Sequence, residues 1–162
     1  MAKVIANMDS LLKKLDRLGG DTKNAIVRGM KKTLNSAHGS ATANTKYGSI
    51  RSSLDREIKV LPDKIEGKVF TNLFHAKFIE FGTGPVGAEN HSGISPNVPV
   101  TYHPTSWAWP TGEKDANGKE IFVTTRGQPA QPFLYPAAKE NEGVFVAEVK
   151  NELLSAIRRA GG

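Results

Sequence analysis

Cysteine is missing from the sequence altogether. A disulfide scaffold, a thiolate zinc site and a cysteine nucleophile are therefore excluded, and the composition fits a reducing compartment. Long apolar runs are missing too, because no stretch approaches the ~18 residues that a membrane helix needs. The first residues, MAKVIANMDS, lack the apolar segment of a secretory signal. We expect a protein without a membrane partner that is made in the cytoplasm.

Aromatic side chains are few: seven Phe, three Tyr and two Trp among 162 residues. Hydrophobic residues account for 38% of the chain and charged residues for 23%, which is not the composition of a disordered protein. A chain of this length can bury a substantial core. We therefore predict a single domain over residues 1–162, with a core that relies on aliphatic side chains.

The charge is not balanced, since the formal net charge is +6. Solvated helix faces explain such an excess most simply, and contact with nucleic acid or with an acidic partner is the alternative. No alternation of aromatic and basic residues indicates a surface on which bases stack. Much of the excess falls on positions that are predicted to be helical: Lys13, Lys14, Lys23, Lys31, Lys32, Arg158 and Arg159.

Three segments have the spacing of amphipathic helices, with apolar residues three and four positions apart. The third segment follows Pro136, which suits a first helical turn because its missing N–H is not needed there. Gly143 lies inside the third segment, at a point where the helix could bend or split. The three stripes are Met8, Leu11, Leu12, Leu15 and Leu18; then Ile26, Met30, Leu34, Ala37 and Ala41; then Phe145, Val149, Leu153 and Ile157.

The middle of the sequence changes to the two-residue period of β-strands. Ile58 alternates with charged neighbours, Pro62 begins a turn, and a second alternating run starts at Ile65. This pattern predicts a β-hairpin with one buried face. The segment EIFVTT, residues 120–125, is predicted to be a strand that returns to the same sheet. Because the strands are consecutive and flanked by helices, we predict an α+β fold, in which N-terminal helices and a long C-terminal helix pack on an antiparallel sheet.

Residues 84–118 are predicted to form a long irregular loop, since five of the nine prolines lie there. A loop of this length in a small domain is usually functional or disordered. Trp107 and Trp109 lie within it, and two tryptophans in a polar loop are costly unless something covers them. We predict that both contribute to contacts with neighbouring proteins.

The segment HAKFIEFGTG, residues 75–84, places a carboxylate between apolar residues just before a glycine turn. Glu80 could be a catalytic acid, and the Gly-Thr-Gly turn could bind phosphate. Neither has the partners that its chemistry needs, because Glu80 lacks a second carboxylate at a fixed spacing and the turn lacks the G-x-x-x-x-G-K-[ST] pattern. We predict instead a strand that ends at Phe81, where Glu80 braces the corner by accepting backbone N–H groups or by pairing with Arg126.

No other constellation of residues indicates catalysis or metal binding. His91 and His103 lie near Glu89 and Asp115 in the sequence, but no H-E-x-x-H motif or close pair of ligands supports a metal site. No G-x-S-x-G nucleophile elbow is present either. We predict a protein that is not an enzyme and holds no metal or cofactor.

Two motifs together are similar to a known family. HAKFIEFGTG and the later GQPAQPFLYPAAKE resemble elements of the tail-completion or head–tail joining proteins of long-tailed bacteriophages, of the lambda minor tail protein Z type. His75 departs from the family pattern, which usually has Tyr there. The matching positions are Ala76, Ile79, Glu80, Phe81, Gly82 and Thr83, then Pro129, Ala130, Gln131, Pro132, Phe133, Leu134, Pro136 and Ala137.

The resemblance implies a structural virion protein at the head–tail junction, part of a neck or tail-completion ring that joins the tail to the DNA-filled capsid. The implied partners are the head–tail connector, the tail terminator, the tail tube and further copies of the chain in a ring through which DNA passes. The alternative is a small basic nucleic-acid-binding protein, whose binding would weaken steeply as salt rises. The predicted structural residues are Glu80, Gly82, Thr83, Pro132, Phe133 and Pro136, and the predicted partner contacts are Trp107, Trp109 and Phe133.

Overall fold

The computed structural model describes residues 3–4 and 21–160. The chain forms two compact units. One, which we call the helical unit, contains the chain up to Asn72 and from Phe133 onward; the other, the hairpin unit, is Leu73–Pro132. The first predicted helix, around residues 8–18, lies outside the described residues. Within those residues, no helix has the length and apolar character of a membrane span.

Each unit has its own set of elements. In the helical unit these are β1 (Lys3–Val4), α1 (Asp21–Asn44), α2 (Gly48–Ser53), β2 (Leu54–Val60), β3 (Ile65–Thr71), α5 (Leu134–Glu140) and α6 (Glu142–Ala160). In the hairpin unit they are α3 (Ala76–Phe81), α4 (Gly84–Glu89), β4 (Trp107–Lys114) and β5 (Glu120–Thr125). The α+β class, the antiparallel pairing and the long C-terminal helix are confirmed.

The predicted central hairpin is confirmed. β2 pairs antiparallel with β3 from Leu54 opposite Thr71 to Val60 opposite Ile65, and β1 adds to the other edge of β3. Leu61 N–H donates to Lys64 O at 2.8 Å, which closes the turn around Pro62. Proline presets the backbone for such a turn, so the local sequence determines the register of the two strands.

The core of the helical unit lies where α1 meets α6 and the sheet. Because its apolar residues recur at three and four positions, α1 presents one continuous stripe to both. Gly29 allows close packing of the two helices, since a Cβ there would lie 2.8 Å from the Val149 backbone. The buried cluster consists of Ile26, Met30, Leu34, Ile65, Phe145 and Val149.

Ion pairs join α1 to α6 beside this core. Glu152 accepts a hydrogen bond from Arg28 at 2.8 Å and pairs with Lys32 at 2.8 Å, and Lys32 also lies 3.4 Å from Glu148. Hydrogen bonds from Lys32 and Arg28 lower the pKa of the Glu152 carboxyl to about 2. The charged form of this side chain is therefore favoured in the folded protein.

Replacing Glu152 with Gln is expected to lower the melting temperature at pH 7. The folded-state pKa lies below the ordinary value of 4.5, so the ion pairs stabilise the fold above about pH 4.5. That contribution is lost as the pH falls towards about 2, where the carboxyl becomes protonated in the folded state as well. Melting curves from pH 2 to pH 7 should show that the difference in melting temperature between the two proteins becomes smaller as the pH falls. Glu113→Gln, at an exposed carboxylate of β4, is the control and should leave the curve unchanged. Equal melting temperatures of Glu152→Gln and the parent protein at pH 7 would contradict the assignment.

Three predictions on secondary structure are wrong. HAKFIEF is not a strand: its residues form α3, whose buried positions Ala76, Ile79 and Glu80 have helical spacing. EIFVTT is a strand, β5, but it pairs with β4 in a separate two-stranded sheet and does not join the central sheet. The segment predicted as irregular, residues 84–118, contains α4 and β4, so that its irregular parts are residues 90–106 and 115–118.

The third predicted helix is split, as the glycine within it suggested. The break is at Asn141, two residues before Gly143, and separates α5 from α6. The Asn141 side chain donates to Ala137 O at 2.8 Å and to Ser40 Oγ at 3.2 Å. This buried amide thus fixes the junction between the two helices against α1.

Candidate interaction surfaces

The Gly-Thr-Gly turn is a crossing point of two distant segments of the hairpin unit. Thr83 N–H donates to Gln128 O at 2.9 Å, and Gln128 N–H donates back to Thr83 O at 3.1 Å. Gly82, Gly84 and Gly127 all have positive φ, at 75°, 60° and 92°. A Cβ on Gly82 would lie 2.7 Å from the nitrogen of Ala130. Only glycine allows the two backbones to approach this closely.

Glu80 lies on the buried face of α3, with 4% of its surface exposed. The sequence suggested Arg126 as its partner, but Arg126 lies 3.7 Å from Glu89. Both side chains of that pair are exposed to solvent. An exposed pair of this kind contributes little stability. Within residues 3–4 and 21–160, no three His, Asp or Glu side chains are arranged to hold a metal ion. The bracing role of Glu80 stays a prediction.

The β4–β5 hairpin carries an exposed apolar surface within the hairpin unit. Trp109 lies opposite Val123, and Ile121 is two residues along β5, so these three share one face. Phe122 points to the other face, opposite Pro110. Trp109 is 58% exposed and Phe122 is 56% exposed. A two-stranded hairpin with apolar residues open on both faces is marginally stable by itself, which is typical of a surface that a partner covers.

Trp107 is placed differently from Trp109. It is half-buried, and its ring meets His103 edge-on with centroids 5.5 Å apart. It lines one end of a groove of about 460 Å³ in the hairpin unit, whose walls are α3 and residues 98–103. Tyr102 holds one wall in place by donating to Phe81 O at 2.9 Å, and burial raises the pKa of its phenol. Trp107 therefore lines a groove, whereas Trp109 lies on an open face of the hairpin, although the sequence analysis treated the two together.

The proline-rich motif separates the two units. Pro132 ends the hairpin unit and Phe133 begins the returning part of the helical unit. Phe133 is completely buried, at the residue before α5, and Pro136 lies in the first turn of that helix. The interface role of Phe133 stays a prediction, and its burial favours the structural role that the sequence analysis also gave it.

A second exposed apolar surface lies on α6, where the sequence analysis predicted only core. Ile157 was placed in the buried stripe with Phe145 and Val149, but it is 53% exposed. Val146 and Leu154 are exposed as well, and at 100° per residue positions 146, 154 and 157 fall within an arc of about 80° of the helix. Ala156 takes the buried position instead. The signal was present in the sequence, because α6 has apolar residues at more positions than one stripe requires.

The comparison with known families concerns the first part of the chain. A family model described as "Bacteriophage HK97-gp10, putative tail-component" matches residues 9–82. The chain resembles a phage tail component. The matched range covers slightly less than half of the 162 residues and ends at Gly82, within the HAKFIEFGTG motif. Neither a curated protein nor a solved structure matches the chain.

The match confirms the predicted relation to phage head–tail and tail-completion proteins at the level of a tail component. The match favours a structural role in a phage tail over an enzymatic one. It does not support the finer relation to the lambda minor tail protein Z. The proline-rich motif lies outside the matched residues, so its part in the resemblance rests on the sequence alone.

Proposed function

We propose that the protein is part of the neck or tail-completion ring that joins the tail of a long-tailed phage to its DNA-filled head. In this role the chain has further copies of itself, the head–tail connector, the tail terminator and the tail tube as neighbours, with DNA passing through the ring. The observation that carries the proposal is the apolar face of the β4–β5 hairpin, which the chain leaves exposed. The family match supports a place in the tail.

Tail joining requires binding surfaces and no reacting groups, and the exposed groups of the hairpin fit this requirement. Trp is among the residues that contribute most binding energy at protein interfaces. Trp109 lies on β4 opposite Val123, so the pairing of β4 with β5 positions the backbone that presents its ring. Because the Trp109 side chain is mostly exposed, its contribution to the fold is small, and its replacement separates binding from folding.

Phage that lack the chain are expected to accumulate filled heads and finished tails that are not joined. Supplying the parent chain in trans should restore infectious particles, and supplying Trp109→Ser should restore at most about one tenth as many, since loss of a central aromatic anchor costs at least about 2 kcal/mol of binding. Electron microscopy of the particles and immunoblotting for the chain are the measurements. Joined, infectious particles in the complete absence of the chain would overturn the proposed function.

Phe122→Ser is the matched control for Trp109→Ser. It removes an aromatic side chain of nearly equal exposure from the same hairpin, but from the opposite face. Both variants should melt within a few degrees of the parent protein, because exposed substitutions usually change stability by less than about 0.5 kcal/mol. If both variants restore particles equally, the Trp109 face is not the binding surface, although the place of the chain in the neck would stand.

A further inference from the structure

The groove of the hairpin unit combines an apolar lining with a lysine. Aromatic and aliphatic side chains, among them Phe78, Phe81 and Trp107, form most of its walls. Its volume of about 460 Å³ is that of a binding site for a ligand of moderate size. Among the described residues that line it, none is acidic, and the two that can carry a positive charge are Lys77 and His103. The groove is therefore suited to an apolar ligand that also carries negative charge.

Lys77 has no carboxylate partner among the described residues. Its ammonium group lies 3.9 Å from the centroid of the Phe74 ring and 5.0 Å from that of the Phe78 ring. The two rings contact each other edge-on at 5.3 Å and attract the cation, which places its charge beside the groove. A carboxylate on a bound molecule can therefore pair with Lys77 without breaking an ion pair that the structure shows.

The wall formed by residues 98–103 has the exposure pattern of a β-strand. Its side chains alternate between half-buried and exposed, as successive side chains of an extended strand do. Proline at positions 99 and 104 favours an extended backbone in the residue before each. The half-buried residues are Val98, Val100 and Tyr102, and the exposed ones are Pro99, Thr101 and His103.

The backbone of the 98–103 segment is not paired with another strand in the part of the chain that the structure describes. Val98 N–H donates to Ser95 O at 3.4 Å, and the other N–H groups and the carbonyl groups of the segment form no backbone hydrogen bond there. Such a row of donors and acceptors at the edge of an apolar groove is what an extended peptide needs in order to add as a further strand.

We propose that the groove binds an extended segment of another tail protein. The bound segment pairs with residues 98–103 as an added strand, places apolar side chains at alternate positions in the groove and sets a carboxylate against Lys77. The inference goes beyond the proposed function, because Trp109 is not among the residues that line the groove. It rests on the proposed function only for the source of the segment.

The observations favour this occupant over two others. A polypeptide matches the backbone donors and acceptors of the 98–103 segment, whereas a nucleic acid would bring a row of phosphates to a groove lined by a single lysine. A second copy of the chain is the other candidate. In its described part, the segments with a suitable alternation, β2, β3 and β5, are already paired within sheets, so a different protein is the better source.

Titration of the purified, ¹⁵N-labelled chain with a synthetic peptide tests the groove directly. The probe is a capped hexapeptide, TVEVTV, in which valines alternate with polar residues. At up to about 1 mM it should shift the amide resonances of Val100 and Tyr102. N-methylation along one edge of the peptide should abolish the shifts and methylation along the other edge should leave them, because an added strand pairs along one edge. Equal effects of the two methylated peptides, or no shifts with the probe, would overturn the inference.

Lys77→Gln tests the charge. It should weaken binding of the probe about two- to fivefold, since an exposed ion pair contributes little, and should leave binding of TVQVTV unchanged. Lys114→Gln, at an exposed lysine of β4, is the matched control and should bind the probe as the parent protein does. Equal weakening of both peptides by Lys77→Gln would overturn the assignment of the carboxylate. Shifts with a thymidylate decamer and none with the peptide would assign the groove to nucleic acid instead.

Photochemical cross-linking in phage particles tests the source of the segment. Thr101 is replaced by p-benzoylphenylalanine in chains supplied in trans to phage that lack the protein, and the particles are irradiated. Mass spectrometry should identify one segment of another tail protein with Asp or Glu between apolar residues. The same replacement at Thr124, which is exposed on β5, should not link to that segment.

The outcomes separate the inference from the proposed function. A link from position 101 to another copy of this chain, or particles that contain the replaced chain without any link, would overturn the inference and leave the proposed function standing. Heads and tails that join without the chain would refute the proposed function, and the peptide titration would still decide whether the groove takes an extended segment.

Discussion

Replacing Phe133 with Ala is expected to lower the free energy of unfolding of the helical unit by about 3–5 kcal/mol. Among the described residues, Phe133 is the largest side chain that is buried completely. Truncation to Ala removes the apolar area that is hidden from water and leaves a cavity, because a packed interior relaxes only in part. The expected loss is a large share of the stability of a small protein.

Urea unfolding followed by circular dichroism at 222 nm measures this effect. The longest helices, α1 and α6, both lie in the helical unit, so the helical signal reports mainly on that unit. Phe122→Ala is the control, since it removes the same side chain from an exposed position of the hairpin. We expect the control to change the free energy of unfolding by no more than about 0.5 kcal/mol. A loss below about 1 kcal/mol for Phe133→Ala would show that the side chain is not part of a packed core.

The elements that the sequence predicted correctly are those with strong local signals. The stripe of α1 repeats over about four turns, and α1 spans 24 residues. The β2–β3 hairpin combines a two-residue period with a turn at Pro62, and both signals are contained within residues 54–71. In such segments the local pattern and the final packing favour the same structure, so sequence analysis is sufficient.

The HAKFIEF segment shows where local signals fail. A short apolar run fits a strand and a helix equally well by periodicity, and α3 has only six residues. The decisive contact comes from far along the chain: Gln131 N–H donates to Ile79 O at 2.7 Å. No pattern within residues 75–84 contains this information. The glycines of the turn were correctly interpreted as conformational requirements, but the segment that they accommodate could not be predicted.

The exposed surfaces were predicted in part. Trp109 is exposed, as its place in a polar segment led us to expect, but its contact with a neighbouring protein stays a prediction, and the strand that holds it depends on pairing with residues 120–125. The exposed apolar positions of α6, which are Val146, Leu154 and Ile157, were missed because Ile157 continues the three-and-four spacing of the core residues. Which of two overlapping stripes faces the core is decided by the packing of α6 against α1, and spacing alone does not determine it.

Replacing Gly127 with Ala is expected to destabilise the hairpin unit by about 3 kcal/mol. The residue has a φ of 92°, which side chains with a Cβ rarely adopt. An added Cβ would also overlap the carbonyl group of Thr83, so the two backbones that cross at the turn would have to separate. Separation would weaken the paired hydrogen bonds between Thr83 and Gln128, which hold the crossing together.

Tryptophan fluorescence during urea unfolding reports on this change, because both tryptophans lie in the hairpin unit. Gly112→Ala is the matched control: Gly112 has a similar φ of 82°, but nothing lies within 4 Å of the added Cβ. The control should therefore show only the backbone cost of about 1–2 kcal/mol. The difference between the two variants isolates the close approach at Thr83 from the conformational preference of glycine. Equal losses in both would mean that backbone conformation alone explains Gly127, and the crossing would then contribute little to the stability of the hairpin unit.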